Sequence, residues 1–411
     1  PPEEDASLLD KVNWMYALAR GHISQSGGLQ TLYNNTNQIL GIARVQDNQT
    51  IFTRGKWRPQ LSWLSNEYAN YNDRDIAVFD AAGTGFFGGC FDGRYIYLAN
   101  GENGDKFARY DTTADYDTSG SWEFIDPSTI GTGEYGFRGA VFDGRYVYFP
   151  PYKDGSTYHG VIAIYDTFAA YSGAGWTSVD IAPYNTDWTG FFGAVFDGRY
   201  VYFIPWEQSS GVYHGNVVRL DTETDSFSTN DFVGVNLEDW NSSAKGYRGG
   251  CYDGRYVYLV HGIGGLMARY DTQADFDAES AWDFFNVAGV DTAYIEYCGC
   301  VFDGRYVYFV PQGSAPYRGK VARYDTQGVF TTSASWTFAD TGTADANAIG
   351  FRGGAFDGKY VYLVPAENAG GSHREIIRYD IANTFNSAGW VTYDHSGAFP
   401  NHQGFAGAVF D

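Results

Sequence analysis

The chain lacks several features that would place it in other classes of protein. None of its 411 residues falls in an apolar run of about 18 residues, the length that a membrane-spanning helix needs. Basic side chains are few, with 27 Lys and Arg against 49 Asp and Glu and a formal net charge of −22, so anionic polymers and lipids are repelled. The first residues, Pro1 to Asp5, have neither the basic nor the apolar part of a signal peptide. We expect a soluble protein that binds neither nucleic acid nor membranes.

Cysteine is also scarce. The four cysteines are Cys90, Cys251, Cys298 and Cys300. A chain of this length can bury a core without disulfides, so the disulfide state stays open. Cys298 and Cys300 are closer together than the C-x-x-C spacing of a metal knuckle, and no second pair or histidine cluster stands beside them. We therefore predict no metal and no other cofactor.

One phrase, centred on Phe-Asp-Gly-Arg-Tyr-Val-Tyr-Phe, recurs along the chain. Its turn aspartates are Asp92, Asp143, Asp197, Asp253, Asp303, Asp357 and Asp411. By subtraction the steps are 51, 54, 56, 50, 54 and 54 residues. A repeat of about 53 residues lies in the range of propeller blades.

Each repeat predicts four strands, here called a to d. Strands a and b are β-rich runs on either side of an Asp-Gly turn, which is a strong hairpin signal. Strand c is the run before Tyr-Asp-Thr, and strand d surrounds a tryptophan such as Trp122 or Trp282. Strand a carries small residues such as Gly88 and Gly139, which suit the crowded centre of a ring. The fold class is therefore all-β, a β-propeller over residues 75–411.

The count of strands favours seven blades. Seven copies of strand a occur, but the last, residues 404–411, stops at Asp411 without strands b and c. Residues 75–80 (DIAVFD) have the pattern of an unpaired strand d, so we expect them to pair with residues 404–411, with strands b and c lying beyond the given chain. Six blades with two surplus strands is the alternative.

Residues 1–74 contain no copy of the repeat and form a separate N-terminal module. Leu8, Val12, Met15 and Ala19 recur at helical spacing and predict a short amphipathic helix ending near Gly21. The stretch from Leu29 to Trp57 predicts two or three short strands between Asn-rich turns. A segment this short cannot bury a substantial core of its own. We therefore expect residues 1–74 to drive homo-oligomerisation or docking to other proteins.

The run LDKVNWMYALARGHISQ, followed by TLYNNTNQILGIARVQDNQTIFTRGKW, resembles the helix and β module of structural proteins in the tail, baseplate or fibre of tailed bacteriophages. The resemblance covers about 50 residues. It implies a location in the virion, with other virion proteins as partners of residues 1–74. The blades resemble propeller repeats of uncharacterised bacterial and phage proteins, and they lack the motifs of WD40, kelch and sialidase propellers. No enzymatic activity follows from them.

Loops at one end of the propeller are the first candidate binding surface. The a–b turns are nearly identical, whereas the b–c and d–a loops vary and carry aromatic and polar residues suited to sugars. The predicted ligand-binding residues are Tyr158, His159, Trp206, Tyr213, His214, Tyr317, Arg318 and His373. We expect Trp206→Ala to weaken binding without unfolding the chain. The alternative is that these aromatics cap the fold and that the repeated Tyr-His-Gly is a packing device.

A second candidate is the channel mouth. Arg138, Arg248 and Arg352 hold the same strand a position and could attract an anion, or they could pair with acidic residues of the chain. The predicted function is a non-enzymatic virion component whose propeller displays loops for host-surface glycans. The alternatives are a purely architectural propeller that packs against neighbouring virion proteins and a polysaccharide-degrading enzyme.

Overall fold

A computed structural model describes residues 75–102, 106–130, 135–224, 226–312, 317–394 and 404–411, and the backbone of two further strands at 28–33 and 39–45. Those two strands, Gly28–Tyr33 and Ile39–Val45, form an antiparallel pair that we call the N-terminal hairpin. They agree with the short strands expected there. The predicted helix before Gly21 and the rest of the 1–74 module lie outside the described residues.

The propeller consists of six antiparallel sheets, each with four strands in the order a-b-c-d. In blade order, strand a spans Phe86–Phe91, Val141–Phe142, Phe191–Phe196, Tyr247–Tyr252, Tyr297–Phe302 and Phe351–Phe356. Strand b spans Tyr95–Asn100, Tyr146–Phe149, Tyr200–Pro205, Tyr256–His261, Tyr306–Pro311 and Tyr360–Pro365. Strand c spans Phe107–Asp111, Val161–Asp166, Asn216–Asp221, Leu266–Asp271, Lys320–Asp325 and Glu375–Asp380. Strand d spans Trp122–Ile125, Trp176–Asp180, Phe232–Asn236, Trp282–Asn286, Trp336–Asp340 and Trp390–Asp394.

The loops contain small hairpins and short helical turns. The b–c loops of three blades carry small hairpins, formed by Lys153–Asp154 with Thr157–Tyr158, Glu207–Ser209 with Val212–Tyr213, and Glu367–Asn368 with Gly371–Ser372. Helical structure in the described residues is limited to an α-helical turn at Thr341–Ala344 and short 3-10 turns. The 3-10 turns are Ile76–Val78, Ser119–Ser121, Pro127–Thr129, Gly173–Gly175, Thr222–Thr224, Thr229–Asp231, Leu237–Asp239, Glu279–Ala281, Val287–Gly289, Ser333–Ser335 and Ser387–Gly389. Within the described ranges, no helix is long and apolar enough to cross a membrane.

The recurring Asp-Gly-Arg-Tyr-Val-Tyr phrase builds the a–b turn. In blade 3, Asp197 Oδ1 accepts hydrogen bonds from two turn amides, and Tyr202 donates its hydroxyl to Asp197 Oδ2 over 2.7 Å. Arg199 extends to Asp221 at the end of strand c, 2.7 Å away. Only Gly198 of the turn has a positive φ, 106°. The turn is therefore not the type I′ form that Asp-Gly suggests, because that form needs positive φ at both central residues.

Apolar cores lie between successive blades, from blades 1 and 2 to blades 5 and 6. At most of these junctions a strand b tyrosine packs on the strand c tyrosine of the next blade, as Tyr97 does on Tyr165 with ring centroids 5.7 Å apart. Inner strands of blades 4 and 5 are joined by the disulfide Cys251–Cys300, whose Cα atoms are 5.8 Å apart. Cys90 and Cys298 are free thiols.

The expectation of seven blades is wrong, and the six-blade alternative is supported. Residues 75–80 do not form a strand, because Asp75 accepts a hydrogen bond from the Ala77 amide and caps a 3-10 turn. They join blade 1, where Asp80 pairs with Lys106 over 2.5 Å. Residues 404–411 have no regular secondary structure, although they keep an inner position beside blade 6, where the Phe405 amide donates to Pro365 O.

Candidate functional site

The channel mouth is lined by the strand a residue that precedes each inner glycine. In blade order these residues are Phe87, Arg138, Phe192, Arg248, Cys298 and Arg352. Phe87 of blade 1 meets Phe192 of blade 3 edge to face, with ring centroids 5.2 Å apart. The two rings thus meet across the position of blade 2 and give the mouth an aromatic side.

Arg138 is neutralised within the protein. It forms an ion pair with Glu102, which also lies 3.0 Å from Lys153 Nζ, and its guanidinium lies 3.8 Å from the Phe87 ring centroid. Against the opposing effect of burial, the charges of Arg138 and Lys153 lower the pKa of Glu102. Of the two alternatives given for the channel arginines, Arg138 therefore follows the second, because it pairs with an acidic residue of the chain.

Arg248 and Arg352 have a different environment. Arg248 lies 3.9 Å over Trp206, and Arg352 lies 5.5 Å from the Phe87 ring. In the part of the chain that the structure describes, neither forms an ion pair with a carboxylate. Burial lowers the pKa of Arg248, Cys298 and Tyr152 act against this shift, and the nearby charge of Arg352 adds to it. Two neighbouring guanidinium groups that have no carboxylate partner among the described residues make a site that favours an anion.

Cys298 lies within this arginine cluster. Its thiol is buried, and burial raises its pKa, while the charges of Arg248, Arg352 and Arg138 act in the opposite direction. The surrounding positive charge would stabilise a bound anion as well. The repeat shows that Cys298 holds the same strand a position as the channel arginines. The spacing of the cysteines did not predict a function for it.

An aromatic rim surrounds one side of the mouth. Trp206 is only 2% exposed and meets Tyr213 edge to face, with ring centroids 4.7 Å apart. Tyr158 donates to Glu207 Oε2 over 2.8 Å, and Tyr152 donates to the same oxygen over 3.2 Å. The structure thus brings Tyr158, Trp206 and Tyr213 together, but Trp206 packs against the guanidinium of Arg248 and offers no open face.

The predicted histidines are buried. His159, His214 and His373 are at most 6% exposed and pack edge-on against Phe137, Phe191 and Phe351. His261 is 6% exposed and packs at a tilt against Tyr247. His159 Nε2 lies 2.9 Å from Tyr135 O, and His373 Nε2 lies 2.7 Å from Gly350 O. These contacts tie b–c loops to d–a loops, which is the packing role given above as the alternative.

Tyr317 and Arg318 stand apart from this cluster. Arg318 donates to the carbonyl oxygen of Ala293 over 3.3 Å and so anchors the preceding d–a loop. Tyr317 is half-buried, and no contact among the described residues joins it to the channel arginines.

Glu296 is a candidate functional residue that was not predicted from the sequence. It occupies the place held by glycine in every other repeat and adopts a positive φ of 63°. Its Oε2 atom is buried, with no hydrogen-bond partner among the described residues. The replacement of glycine by glutamate within a regular repeat was the available signal. Across the described ranges, no group of three His, Cys, Asp or Glu side chains is arranged to hold a metal ion.

Comparisons with known proteins find no family for this chain, but they find solved structures of low similarity. No protein-family model matches the chain, and no curated protein matches it. Among solved structures, YCF48 from Cyanidioschyzon merolae is similar at 11% identity and a TM-score of 0.49 over 75% of this chain and 84% of that one. AztD from Citrobacter koseri gives 11% and 0.43 over 75% and 73%. PorZ of the Porphyromonas gingivalis type-IX secretion system gives 9% and 0.46, and the match covers 80% of this chain but 34% of PorZ. Such low similarity transfers no function.

Proposed function

We propose that the chain is a non-enzymatic virion protein whose propeller binds an acidic host-surface glycan at the channel mouth. The observation that carries the binding part is the pair Arg248 and Arg352, which lie beside the rings of Trp206 and Phe87 without carboxylate partners among the described residues. A sugar carboxylate would pair with the guanidinium groups, and the ring would pack against aromatic side chains. The virion part is supported by the resemblance of the N-terminal module alone.

The mouth is suited to an anion although the whole chain is acidic. Arg248 and Arg352 are held against Trp206 and Phe87, so their side chains are ordered before a ligand arrives. Preorganised guanidinium groups lose less conformational freedom on binding. The net charge of −22 would slow the approach of acidic ligands, so salt would screen both this repulsion and the local attraction.

The test is a glycan array that compares acidic with neutral oligosaccharides, followed by titration of the best ligand. Removing one charge-assisted hydrogen bond typically costs about 1.5–3 kcal/mol, so Arg248→Gln and Arg352→Gln should each weaken binding about tenfold or more. Arg199→Gln is the matched control, because Arg199 pairs with Asp221 at the opposite end of the propeller.

Equal binding of neutral and acidic glycans, or unchanged affinity in both mouth variants, would contradict this site. If no glycan binds, the result favours the alternative that the propeller is architectural and packs against neighbouring virion proteins. Release of shorter saccharides from a host polysaccharide would favour the enzymatic alternative.

A further inference from the structure

The junction between blades 6 and 1 differs from the other junctions. A Cβ atom built on Gly353 of blade 6 would lie 3.3 Å from Gly407, and one on Gly407 would lie 3.2 Å from Gly88 of blade 1. Gly407 therefore stands between the two blades at the inner end of a gap. We call the space outside residues 404–411, between blades 6 and 1, the 6–1 gap.

Both walls of the 6–1 gap are apolar and incompletely covered. On blade 6 the burial of strand b alternates, with Val361 and Leu363 buried but Tyr362 and Val364 half-buried. On blade 1 the alternation is opposite, with Tyr97 buried but Ile96 and Leu98 half-buried. Corresponding positions are fully buried at other junctions, where a neighbouring sheet covers them: Tyr308 and Val310 of blade 5, and Val147 and Phe149 of blade 2.

The N-terminal hairpin is a pair of strands that needs a further sheet to pack against. Its two strands pair only with each other in the described structure. A two-stranded hairpin alone is marginally stable in water and needs a further sheet to bury its apolar side. The 6–1 gap lacks strands b and c, and the hairpin is a pair of antiparallel strands of comparable length.

The hairpin also has the register of strands b and c. Leu29 lies opposite Arg44, as Tyr97 lies opposite Arg109 in blade 1 and Tyr308 opposite Arg323 in blade 5. Ile42-Ala43-Arg44 corresponds to Val321-Ala322-Arg323 of blade 5. Trp57 follows Arg44 by 13 residues, the spacing that separates Arg109 from Trp122 and Arg323 from Trp336.

We propose that the N-terminal hairpin of the same chain docks in the 6–1 gap, with Gly28–Tyr33 beside residues 404–411 and Ile39–Val45 outside it. The gap would then hold three strands. Residues 46–74 connect the hairpin to the propeller, and 29 residues can span roughly 100 Å when extended, so the connection is long enough. In blade 5 the residue opposite Tyr308 is Val301, two residues after Gly299. The corresponding pair is Leu29 with Val409.

Chemical cross-linking of the full chain tests this pairing. In a Cys90→Ser background, Leu29→Cys/Val409→Cys should be joined within one chain by a short bismaleimide, as mapped by mass spectrometry. Leu29→Cys/Val329→Cys is the control, because Val329 is 62% exposed and belongs to blade 5. Cross-linking at Val409 no higher than in the control would overturn the proposal. A covalent dimer would assign the hairpin to a second copy and overturn docking within the chain.

Hydrogen exchange provides a second measurement that needs no cysteines. Thr31→Pro removes a strand amide from the hairpin and should speed amide exchange in residues 405–411 at least severalfold. Exchange in the inner strand Phe191–Phe196 of blade 3 should not change, which shows that the propeller is intact. Equal exchange of residues 405–411 in parent and variant would mean that the hairpin does not cover them.

Discussion

Glu296 carries backbone strain that the other repeats avoid. The corresponding residue of the other copies is a glycine, at Gly85, Gly136, Gly190, Gly246, Gly350 and Gly404, all with φ between 67° and 80°. A side chain in this left-handed region typically costs about 1–2 kcal/mol. In Glu296 the strained backbone coincides with a buried carboxylate oxygen at the mouth end of the propeller. Such outliers often mark functional positions.

Glu296→Gly should therefore stabilise the protein. We expect the free energy of unfolding to rise by about 1 kcal/mol, because glycine adopts positive φ without steric cost. Glu279→Gly is the control: Glu279 is exposed and has a negative φ, so glycine there should lower stability by a similar amount. Chemical denaturation of both variants measures the difference. A destabilised Glu296→Gly would show that the carboxylate makes contacts worth more than the strain.

Trp206 changes from a predicted ligand platform to a core residue. Its ring is buried between Tyr213, Phe192 and the guanidinium of Arg248. Trp206→Ala should lower the free energy of unfolding by about 3 kcal/mol or more, contrary to the expectation that the fold would tolerate it. Tyr317→Ala, at a half-buried position outside the cluster, should change stability by less than about 1 kcal/mol. Thermal melting of both variants checks this contrast, which equal melting temperatures would refute.

Among the elements, the a–b turn shows how a short phrase can determine a hairpin. Asp357 Oδ1 accepts the amides of Lys359 and Tyr360, and Tyr362 donates its hydroxyl to the other carboxylate oxygen over 2.9 Å. The same arrangement recurs in the other blades, from Asp92 to Asp303. The recurring geometry of this phrase is therefore explained by the hydrogen bonds of the turn, and the phrase gives no information about a ligand.

Gly358→Ala isolates the conformational requirement of this turn. A Cβ atom at Gly358 would meet nothing within 4 Å, so only its φ of 95° opposes substitution. Gly289 also has open space but no positive φ. We expect Gly358→Ala to lower the free energy of unfolding by about 1 kcal/mol and Gly289→Ala to leave it unchanged or slightly raised. Equal effects of the two variants in urea denaturation would show that the turn does not need glycine.

The strands could be predicted from the sequence where the pattern repeats. The structure of residues 75–80, at the start of the propeller, could not be predicted in this way. The periodic runs of strands a to d predicted the four-stranded sheets because each run combines β-rich residues with turn signals. Ile-Ala-Val-Phe after Asp75 has the same local pattern, yet capping by Asp75 converts it into a 3-10 turn, as Asp126 and Asn286 do after strand d of blades 1 and 4. Capping competes with strand pairing, and only the tertiary context decides between them.

At the scale of the whole molecule, the count of repeats did not determine the count of blades. Seven inner positions surround the axis, from Gly88 to Gly407, but among the described residues six of them carry four-stranded sheets. The ring of channel residues could be predicted because they share one place in the repeat. The Arg138–Glu102 pair could not, because Glu102 lies in a loop whose conformation the repeat does not encode.

Buried histidines in several blades make global stability sensitive to acid. Burial lowers the pKa of both His214 and His261 from 6.5 to about 4, and it also lowers the pKa of His159. Below pH 6.5 the unfolded chain therefore binds protons that the folded chain excludes. For His214 and His261 this lowers the free energy of unfolding as pH drops from 6.5 to about 4, by roughly 1.4 kcal/mol per pH unit for each of the two, and His159 acts in the same direction. Asp197 and Asp253, whose pKa values burial raises, act in the opposite direction at the acidic end.

Comparison of variants separates the histidines from these carboxylates. His214→Gln should reduce the slope of unfolding free energy against pH between 6.5 and 4.5 by about 1.4 kcal/mol per unit, because glutamine does not titrate. Phe191→Leu is the matched control: Phe191 packs against the His214 ring, so the substitution disturbs the same contact but leaves the titrating group in place. Urea denaturation at several pH values gives both slopes. An unchanged slope in His214→Gln would mean that His214 is protonated in the folded protein as readily as in the unfolded chain, and the acid sensitivity would then have to come from elsewhere in the propeller.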